Sequence, residues 1–104
     1  MATRYIHIAQ IDVAPEDEAE FNRLYDEEHV PRLTAVPGVI SGRRFKLHTP
    51  GPAAIPRYLA IYELESPEIP QSKAWKEAAE TPNWHRVRKT MTARTGGTFE
   101  AMKK

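Results

Sequence analysis

The sequence predicts a single α+β domain over residues 1–104, with its elements in the order β-α-β-β-α-β. Segments rich in Ile, Tyr and Val, with partial alternation, indicate strands at 4–13, 39–48, 57–64 and 92–102. Two stretches in which apolar residues recur at helical spacing lie between strands, at 15–36 and 72–80. A length of 104 residues is also close to the common size of one domain.

The first helix is expected to begin at Pro15 and to carry acidic residues in its first turns, where they favour the positive end of the helix dipole. Pro31 lacks a backbone donor and crowds the carbonyl of residue 27, so this helix is expected to end or kink near His29. A helical turn is then expected to resume before residues 37–38. The residues of the helical stripe before the proline are Phe21, Leu24, Tyr25 and Glu28.

The second half of the chain contains a loop, a shorter helix and the last strand. Three prolines and a glycine make 48–57 a loop. Ser72 is a candidate N-cap for the second helix, and residues 81–82 (Thr-Pro) are expected to end it. The pattern of residues 84–90 favours neither a helix nor a strand. The two glycines at 96–97 predict a bulge in the last strand.

This element order is that of the ferredoxin-like plait, a four-stranded antiparallel sheet with two helices on one face. The first and third strands, however, carry apolar residues on both alternating sets, so the second face of the sheet must also be covered. We therefore expect a homodimer in which two sheets pack face to face and enclose a cavity. A charge on the third strand, for example at Ala60, is expected to dissociate this dimer or to abolish ligand binding.

Composition excludes several classes of function. There are no cysteines, which excludes disulfides and thiolate nucleophiles and agrees with a cytoplasmic location. The longest apolar run is only a few residues, so no membrane span or membrane partner is expected. Net charge is +1, and the basic segment 84–104 lacks interleaved aromatic residues, so no nucleic-acid partner is expected. That segment and the acidic segment 12–28 are interpreted as two solvated faces of opposite sign.

The stretch FNRLYDEEHVPRLTAVPGV, after a first strand and an acidic helix start, resembles the EthD-like branch of the dimeric α/β-barrel superfamily. The strand-loop-strand that follows and the TPNW segment extend the resemblance over nearly the whole chain. The resemblance implies a ferredoxin-like plait, a homodimer through facing sheets, and a small-molecule pocket between sheet and helices. The superfamily includes isomerases, polyketide cyclases, cofactor-free monooxygenases and haem-using enzymes, so fold alone does not fix the reaction.

Two groups within the superfamily suggest histidines for the site. Methylmuconolactone methylisomerases use a helix-1 histidine eight residues before a Pro-Gly as an acid/base group, which implies that role for His29. A cysteine that those enzymes also use has no counterpart here. Olivetolic-acid-cyclase-like members use a histidine after the second helix together with a tyrosine, and His85 lies in the comparable region with different flanking residues.

The residues themselves also point to His29 as a site residue. On a helical wheel His29, Tyr25 and Asn22 share one edge of the apolar stripe, where a side chain can face a pocket while its helix stays docked. A histidine whose pKa is near the working pH can take and return a proton, and Asp26 could orient its ring. The alternative interpretation is a helix C-terminal cation that is stabilised by the helix dipole.

Five further side chains are candidates for binding a substrate. Tyr62, like Tyr25, could hydrogen-bond an enolate or phenolate oxygen, or could simply fill the core. Arg44 could bind a substrate carboxylate, although a salt bridge to the acidic helix is the favoured interpretation. His7 could line the cavity or be a satisfied strand histidine. Trp84 is a candidate pocket wall, and His85 a candidate binding residue.

No cofactor or metal is expected, because no complete ligand set and no GxGxxG, P-loop or GxSxG motif is present. The first hypothesis is a small cofactor-independent enzyme, an isomerase or a lyase or cyclase. It would perform acid/base chemistry on a small, largely apolar carbonyl, lactone or aromatic compound. The alternatives are a non-catalytic dimer that binds a small molecule, and a cofactor-free or haem-dependent monooxygenase.

Overall fold

The computed structural model describes residues 4–102. Its strands are β1 (Tyr5–Val13), β2 (Val39–Lys46), β3 (Tyr58–Leu64) and β4 (Met91–Glu100). Its α-helices are α1 (Glu18–Leu24), α2 (Val30–Thr34), α3 (Lys73–Ala79) and α4 (Pro82–Arg88), and a π turn (Tyr25–His29) joins α1 to α2. Short 3₁₀ turns at Pro15–Asp17 and Ile69–Gln71 precede the two helical regions.

The four strands form one antiparallel sheet in the order β2-β3-β1-β4. This is the strand order of a ferredoxin-like plait, and the predicted α+β fold class is confirmed. The buried side of β3, which includes Tyr58, Ala60 and Tyr62, packs in one core with buried residues of all four helices. The helices therefore cover one face of the sheet.

The first helical region does not end at Pro31, because a π turn absorbs one extra residue there. The Val30 amide donates to the Tyr25 carbonyl, five residues back. Pro31 consequently falls in the first turn of α2, where a missing N–H is not needed. In an ideal α-helix Leu33 would lie about 120° around the axis from Phe21, and absorbing one residue reduces this to about 20°. Both residues are in fact buried in the core.

The second helical region is split into two short helices by the Thr81-Pro82 pair. The Ser72 hydroxyl caps α3 by accepting from the Trp75 amide at 3.2 Å. Thr81 does the same for α4, accepting from the Trp84 amide at 3.0 Å, and Pro82 occupies the first turn. The expected end of α3 is therefore also the start of α4, which includes much of the unassigned segment 84–90.

The bulge predicted at Gly96 and Gly97 is wrong. Pairing of β4 with β1 is regular at both glycines, and the register shifts instead between Asp12 and Val13. Gly96 has a steric reason instead, because a Cβ built there would lie 2.2 Å from the Ile8 carbonyl oxygen. A close approach of two strands, not a bulge, requires this glycine.

The opposite face of the sheet is uncovered, and we call it the open face. Leu59 and Ile61 alternate with buried neighbours and so point to it, whereas Ala60 is 1% exposed and faces the helices. The expectation that a charge at Ala60 would act on the dimer is therefore wrong. The apolar residues of the open face are Ile6, Ile8, Phe45, Leu59, Ile61 and Phe99. Of these, Phe45 and Phe99 are exposed, so the open face presents apolar side chains to solvent in the single chain, together with polar residues such as Gln10, Arg43 and Glu63.

Within residues 4–102, no helix has the length and apolarity that a membrane crossing requires.

Candidate functional site

A pocket of about 200 Å³ lies on the helix side of the sheet. Its inner wall is mostly aromatic and includes Tyr25, Tyr62, Trp75 and Trp84 together with His29. His7, Ala9 and Ile11 from β1, Leu33 from α2, and Pro70 and Ala79 complete the uncharged part of the lining, and the remaining lining residues are charged. A cavity of about 150 Å³ is large enough for benzene, so this pocket suits a ligand with one ring.

His29 is a wall of this pocket and is only 7% exposed. Its ring stacks on the Trp84 indole with the centroids 3.4 Å apart and the planes within 9° of parallel. The Tyr25 ring meets it edge-on at 5.1 Å. A histidine packed in this way at the end of a π turn, with helix on both sides, is not a solvent-facing C-terminal cap. That alternative interpretation is wrong.

The pKa of His29 differs from the near-neutral value that the sequence suggested. Burial first, and then the positive charges of Arg88 and Arg94, lower this pKa to about 3, while Glu80 acts in the opposite direction. The imidazole is therefore neutral at physiological pH. It can donate one hydrogen bond and accept one, and an anion in the pocket would make it a stronger base.

Tyr25 and Tyr62 bring two hydroxyl groups to the same wall. Burial raises the pKa of Tyr25 to about 12. Burial and the neighbouring Tyr25 raise the pKa of Tyr62 as well. Among the described residues the Tyr62 hydroxyl is fully buried without a hydrogen bond of normal geometry. Both hydroxyls therefore stay protonated, and Tyr62 has hydrogen-bonding capacity to spare.

His7 lies at another part of the wall, on β1. Its Nδ1 is 2.9 Å from the Thr98 hydroxyl on the neighbouring strand, and its ring meets Trp75 edge-on at 5.4 Å. Burial lowers the pKa of His7, so this ring is also neutral at physiological pH. His7 therefore both lines the pocket and is satisfied within the sheet, which combines the two interpretations drawn from sequence.

Four charged side chains line the same pocket, and sequence reasoning did not select them. They are Lys76 and Glu80 of the α3 region, Arg88 at the end of α4, and Arg94 on β4. Arg88 donates to Glu80 at 2.6 Å. Two of the four, Arg88 and Arg94, belong to the basic segment that we had interpreted as a solvated face. The excess of basic residues in 84–104 was the available signal in the sequence. Only the fold shows that two of these residues, Arg88 and Arg94, line a pocket.

Three of the predicted site residues instead form a cluster outside the pocket. Arg44 donates to the carboxylate of Asp26 at 2.9 Å and to the side-chain oxygen of Asn22 at 2.8 Å. Its guanidinium lies 4.3 Å from the centre of the Tyr25 ring. The favoured salt bridge to the acidic helix is thus present, and Asn22 and Arg44 do not line the pocket. Asp26 is paired with Arg44, so the predicted orientation of His29 by Asp26 is wrong.

His85 is also outside the pocket. Its side chain is 53% exposed and bonds to Glu80 on the outer side of the α3–α4 junction. Its position on α4 turns it away from Trp84, the neighbouring residue, which is buried. His85 therefore does not line the pocket that contains His29, since adjacent residues of a helix point in different directions, and its binding role stays a prediction.

Residues 4–102 contain no cluster of three or more side chains that could hold a metal ion. Asp26 and His29 have the i, i+3 spacing that two metal ligands on a helix can have, but they do not converge, because Asp26 bonds to Arg44 and His29 stacks on Trp84.

The fold defines the class of protein as a ferredoxin-like α+β domain with a ring-sized pocket between sheet and helices. No family model matches the chain, and no curated protein matches it. Solved structures do match. A dimeric ferredoxin-like protein from an uncultured marine organism superposes with a TM-score of 0.70 at 18% identity, covering 99% of this chain and 91% of that one.

Two further structures extend the comparison. A variant of SnoaB, a cofactor-independent oxygenase from Streptomyces nogalater, has a TM-score of 0.66 at 17% identity and covers 99% of this chain and 97% of its own. An ethyl tert-butyl ether d (EthD) family protein from Bacillus halodurans has a TM-score of 0.57 at 18% identity, with 95% and 99% covered. These likenesses establish the ferredoxin-like fold, and the last agrees with the EthD-like resemblance of the sequence.

Proposed function

We propose that the chain is a small enzyme that binds a single-ring carbonyl or phenolic compound in the helix-side pocket and stabilises its enolate or phenolate form. The observation that carries the proposal is His29, neutral and stacked on Trp84 beside the Tyr25 ring, in the wall of a ring-sized pocket. The reaction class is acid/base chemistry of the isomerase or lyase and cyclase type. The ligand's ring would pack against the aromatic wall.

In the proposed reaction, His29 takes a proton from the carbon next to the carbonyl group. The electron pair of the broken C–H bond moves into the carbonyl to form an enolate. The Tyr25 hydroxyl, protonated because its pKa is raised to about 12, donates a hydrogen bond to the enolate oxygen. The imidazolium formed on His29 then returns the proton at the same or another carbon, which completes exchange or isomerisation.

The low pKa of His29 in the empty pocket does not prevent this role. Enolate formation places a negative charge beside the imidazole, and an opposite charge at that distance raises the pKa of a histidine. Proton transfer and charge formation therefore assist each other. Arg88 and Arg94, which disfavour imidazolium in the empty pocket, would favour the enolate.

A second candidate is cofactor-independent oxygenation, in which the same carbanion reacts with molecular oxygen. It is favoured by the fold likeness to the Streptomyces nogalater oxygenase. No cofactor is assigned. The haem-dependent variant, which the superfamily resemblance raised, stays a prediction.

We further propose that two chains pair through their open faces. The exposed apolar residues of the open face, Phe45 and Phe99 among them, support this, as does the likeness to a dimeric ferredoxin-like protein. Each helix-side pocket would then lie within its own protomer, and the pairing would leave its aromatic wall unchanged.

The test is hydrogen exchange at carbon in a single-ring enolisable ketone, beginning with 2′-hydroxyacetophenone in D₂O. Loss of its methyl proton signal in NMR should be accelerated by the protein. His29→Ala should reduce that acceleration by about 10²-fold or more, the range expected when an acid/base group is removed. His29→Gln should be nearly as slow, because glutamine keeps a hydrogen bond but cannot take up and return a proton near neutral pH.

The same samples separate the alternatives. Oxygen uptake in air that requires His29 would identify the oxygenase. Binding by calorimetry without exchange or oxygen uptake, across a panel of such ketones, would identify a non-catalytic binding protein. Full exchange in His29→Gln would contradict the acid/base role of His29. Lys89→Gln is the matched control, since Lys89 is on the exposed surface and is absent from the pocket lining.

A further inference from the structure

The charged part of the pocket lining is unevenly balanced. Lys76, Arg88 and Arg94 contribute three positive charges, and Glu80 contributes one negative charge. Glu80 is already shared, because it accepts from Arg88 at 2.6 Å and also bonds to His85. Within residues 4–102, Lys76 and Arg94 have no ion pair. The pocket therefore has an excess of positive charge that its own residues do not neutralise.

The sheet register explains why Arg94 belongs to the pocket. Arg94 pairs with Ile11, and paired residues of an antiparallel sheet point to the same face. Ile11 is buried on the helix side, so the Arg94 side chain leaves the sheet on that side as well. The stem of a long arginine can follow the apolar wall while its guanidinium stays near the mouth.

Arg88 is a second indication that the opening of the pocket, where the charged lining residues lie, lacks a hydrogen-bond acceptor. Its Nη atoms reach Glu80, but its Nε is buried and, among the described residues, has no hydrogen-bond partner. Buried donors of native proteins are nearly always paired, so an unpaired guanidinium N–H beside a pocket is a place for an acceptor. A carboxylate is the acceptor that a guanidinium fork matches best.

We propose that the pocket selects ligands that carry a carboxylate on the ring, which binds at the mouth to Arg94 and Arg88. In the empty protein the Glu80 carboxylate is paired with Arg88. When the ligand binds, its carboxylate replaces Glu80 as the partner of Arg88. This rests on the proposed function and deepens it by adding one carboxylate to the small, largely apolar substrate that the sequence suggested. The ring would lie along Trp84, with its carbonyl or hydroxyl group toward His29 and Tyr25.

The experiment compares salicylate with salicylamide, a neutral compound of nearly the same shape, by titration calorimetry at pH 7. Wild type should bind salicylate about tenfold more tightly than salicylamide, because a charge-assisted contact replaces a neutral one. Arg94→Met should remove most of that preference, while the equally conservative Lys89→Met, outside the pocket, should keep it. Added salt should weaken salicylate binding and leave salicylamide unchanged.

Glu80→Gln provides the opposite change. Removing the competing carboxylate should tighten salicylate binding several-fold without a similar gain for salicylamide. Unfolding curves of each variant, followed by circular dichroism, should be close to wild type, because Glu80, Lys89 and Arg94 are on the exposed surface.

Equal affinity for the two compounds in wild type, or an unchanged preference in Arg94→Met, would overturn the carboxylate proposal. Absence of binding by both at millimolar concentration would overturn it as well. These outcomes are distinct from failure of the proposed function, because His29-dependent exchange in the neutral 2′-hydroxyacetophenone is measured independently of any carboxylate.

Discussion

The two faces of the sheet are built from the same strands but do different things. On the helix side, alternate residues of β3 are buried, and the core is interrupted by a pocket with histidine, tyrosine and arginine in its lining. On the open face Leu59 and Ile61 are apolar and only partly buried, and Phe45 and Phe99 are exposed. One side therefore concentrates polar groups inside an apolar shell, and the other presents apolar groups to solvent.

The division of labour between the two faces explains how a chain of 104 residues can hold a pocket. A small domain buries a limited fraction of its surface, so a cavity reduces an already modest core. Pairing through the open face would bury further apolar area without touching the pocket. Function and assembly would then depend on residues that alternate along the same strands.

Adjacent residues of β3 give the strongest test of this division. Ala60→Glu should unfold the protein, since a carboxylate replaces a methyl group that is 1% exposed, and an unpaired buried charge is destabilising by several kcal/mol. Ile61→Glu should keep the fold, because the new side chain points to the open face. Thermal unfolding by circular dichroism measures both variants.

Sedimentation supplies the other half of that comparison. Wild type should sediment as a dimer at micromolar concentration, and Ile61→Glu as a folded monomer. A stable wild-type monomer would contradict pairing through the open face. If Ile61→Glu sediments as a dimer, the interface does not involve the open face around Ile61.

The next effect in size is the dependence of stability on pH from the buried His29. Its pKa is 6.5 in the unfolded reference and about 3 when folded, so the unfolded chain binds the extra proton between these values. Stability should therefore fall as pH falls from 6.5 toward 3. By pH 4 the loss should be roughly 3 kcal/mol. His29→Gln should show a shallower decline by about this amount in urea unfolding between pH 7 and 4.

The charged groups around His29 also affect how much stability is lost between pH 6.5 and 3. Arg88 on α4, Arg94 on β4 and Arg32 on α2 oppose its protonation, while Glu80 favours it. His7, whose pKa burial also lowers, contributes equally in wild type and in the variant. His85→Gln is the control, since His85 is exposed. An unchanged slope in His29→Gln would mean that His29 is accessible to protons in the folded state.

The smallest effect separates the two glycines of β4. Gly96→Ala should destabilise by about 1–3 kcal/mol, because its Cβ would lie 2.2 Å from a backbone oxygen of β1, which cannot move like a side chain end. Gly97→Ala should be nearly neutral, since the nearest atom to its Cβ is 3.9 Å away. Equal denaturation midpoints for the two variants would show that the β1–β4 pairing can shift.

Much of the fold was predictable because its signals are local. Alternation in the segment that became β3, the acidic helix start at Pro15 and the cap at Ser72 each depend on a few neighbouring residues. The π turn was not predicted, since Pro31 signals a break while only packing against the sheet decides how it is relieved. The register shift between Asp12 and Val13 in the β1–β4 pairing has no glycine to mark it. Cytoplasmic location stays a prediction.

The site was less predictable, because it depends on which side of each element faces inward. His29, Tyr25, Tyr62, Trp84 and His7 do line one pocket. Arg44 and Asp26 were separated from it by their mutual ion pair, which no spacing rule distinguishes from a ligand contact. Arg94 was missed because its role follows from pairing with Ile11, a partner 83 positions away in the chain.

The π turn between α1 and α2 has a consequence for how the chain can change in length. It accommodates one residue more than a regular helix needs between the Phe21 and Leu33 contacts with the core. Loss of a single residue among 26–28 would convert it into ordinary α-helix while leaving both ends of the helix on their present faces. The spacing between Tyr25 and His29 would shrink in the same event. A one-codon deletion could thus reshape the pocket wall while leaving the rest of the scaffold in register.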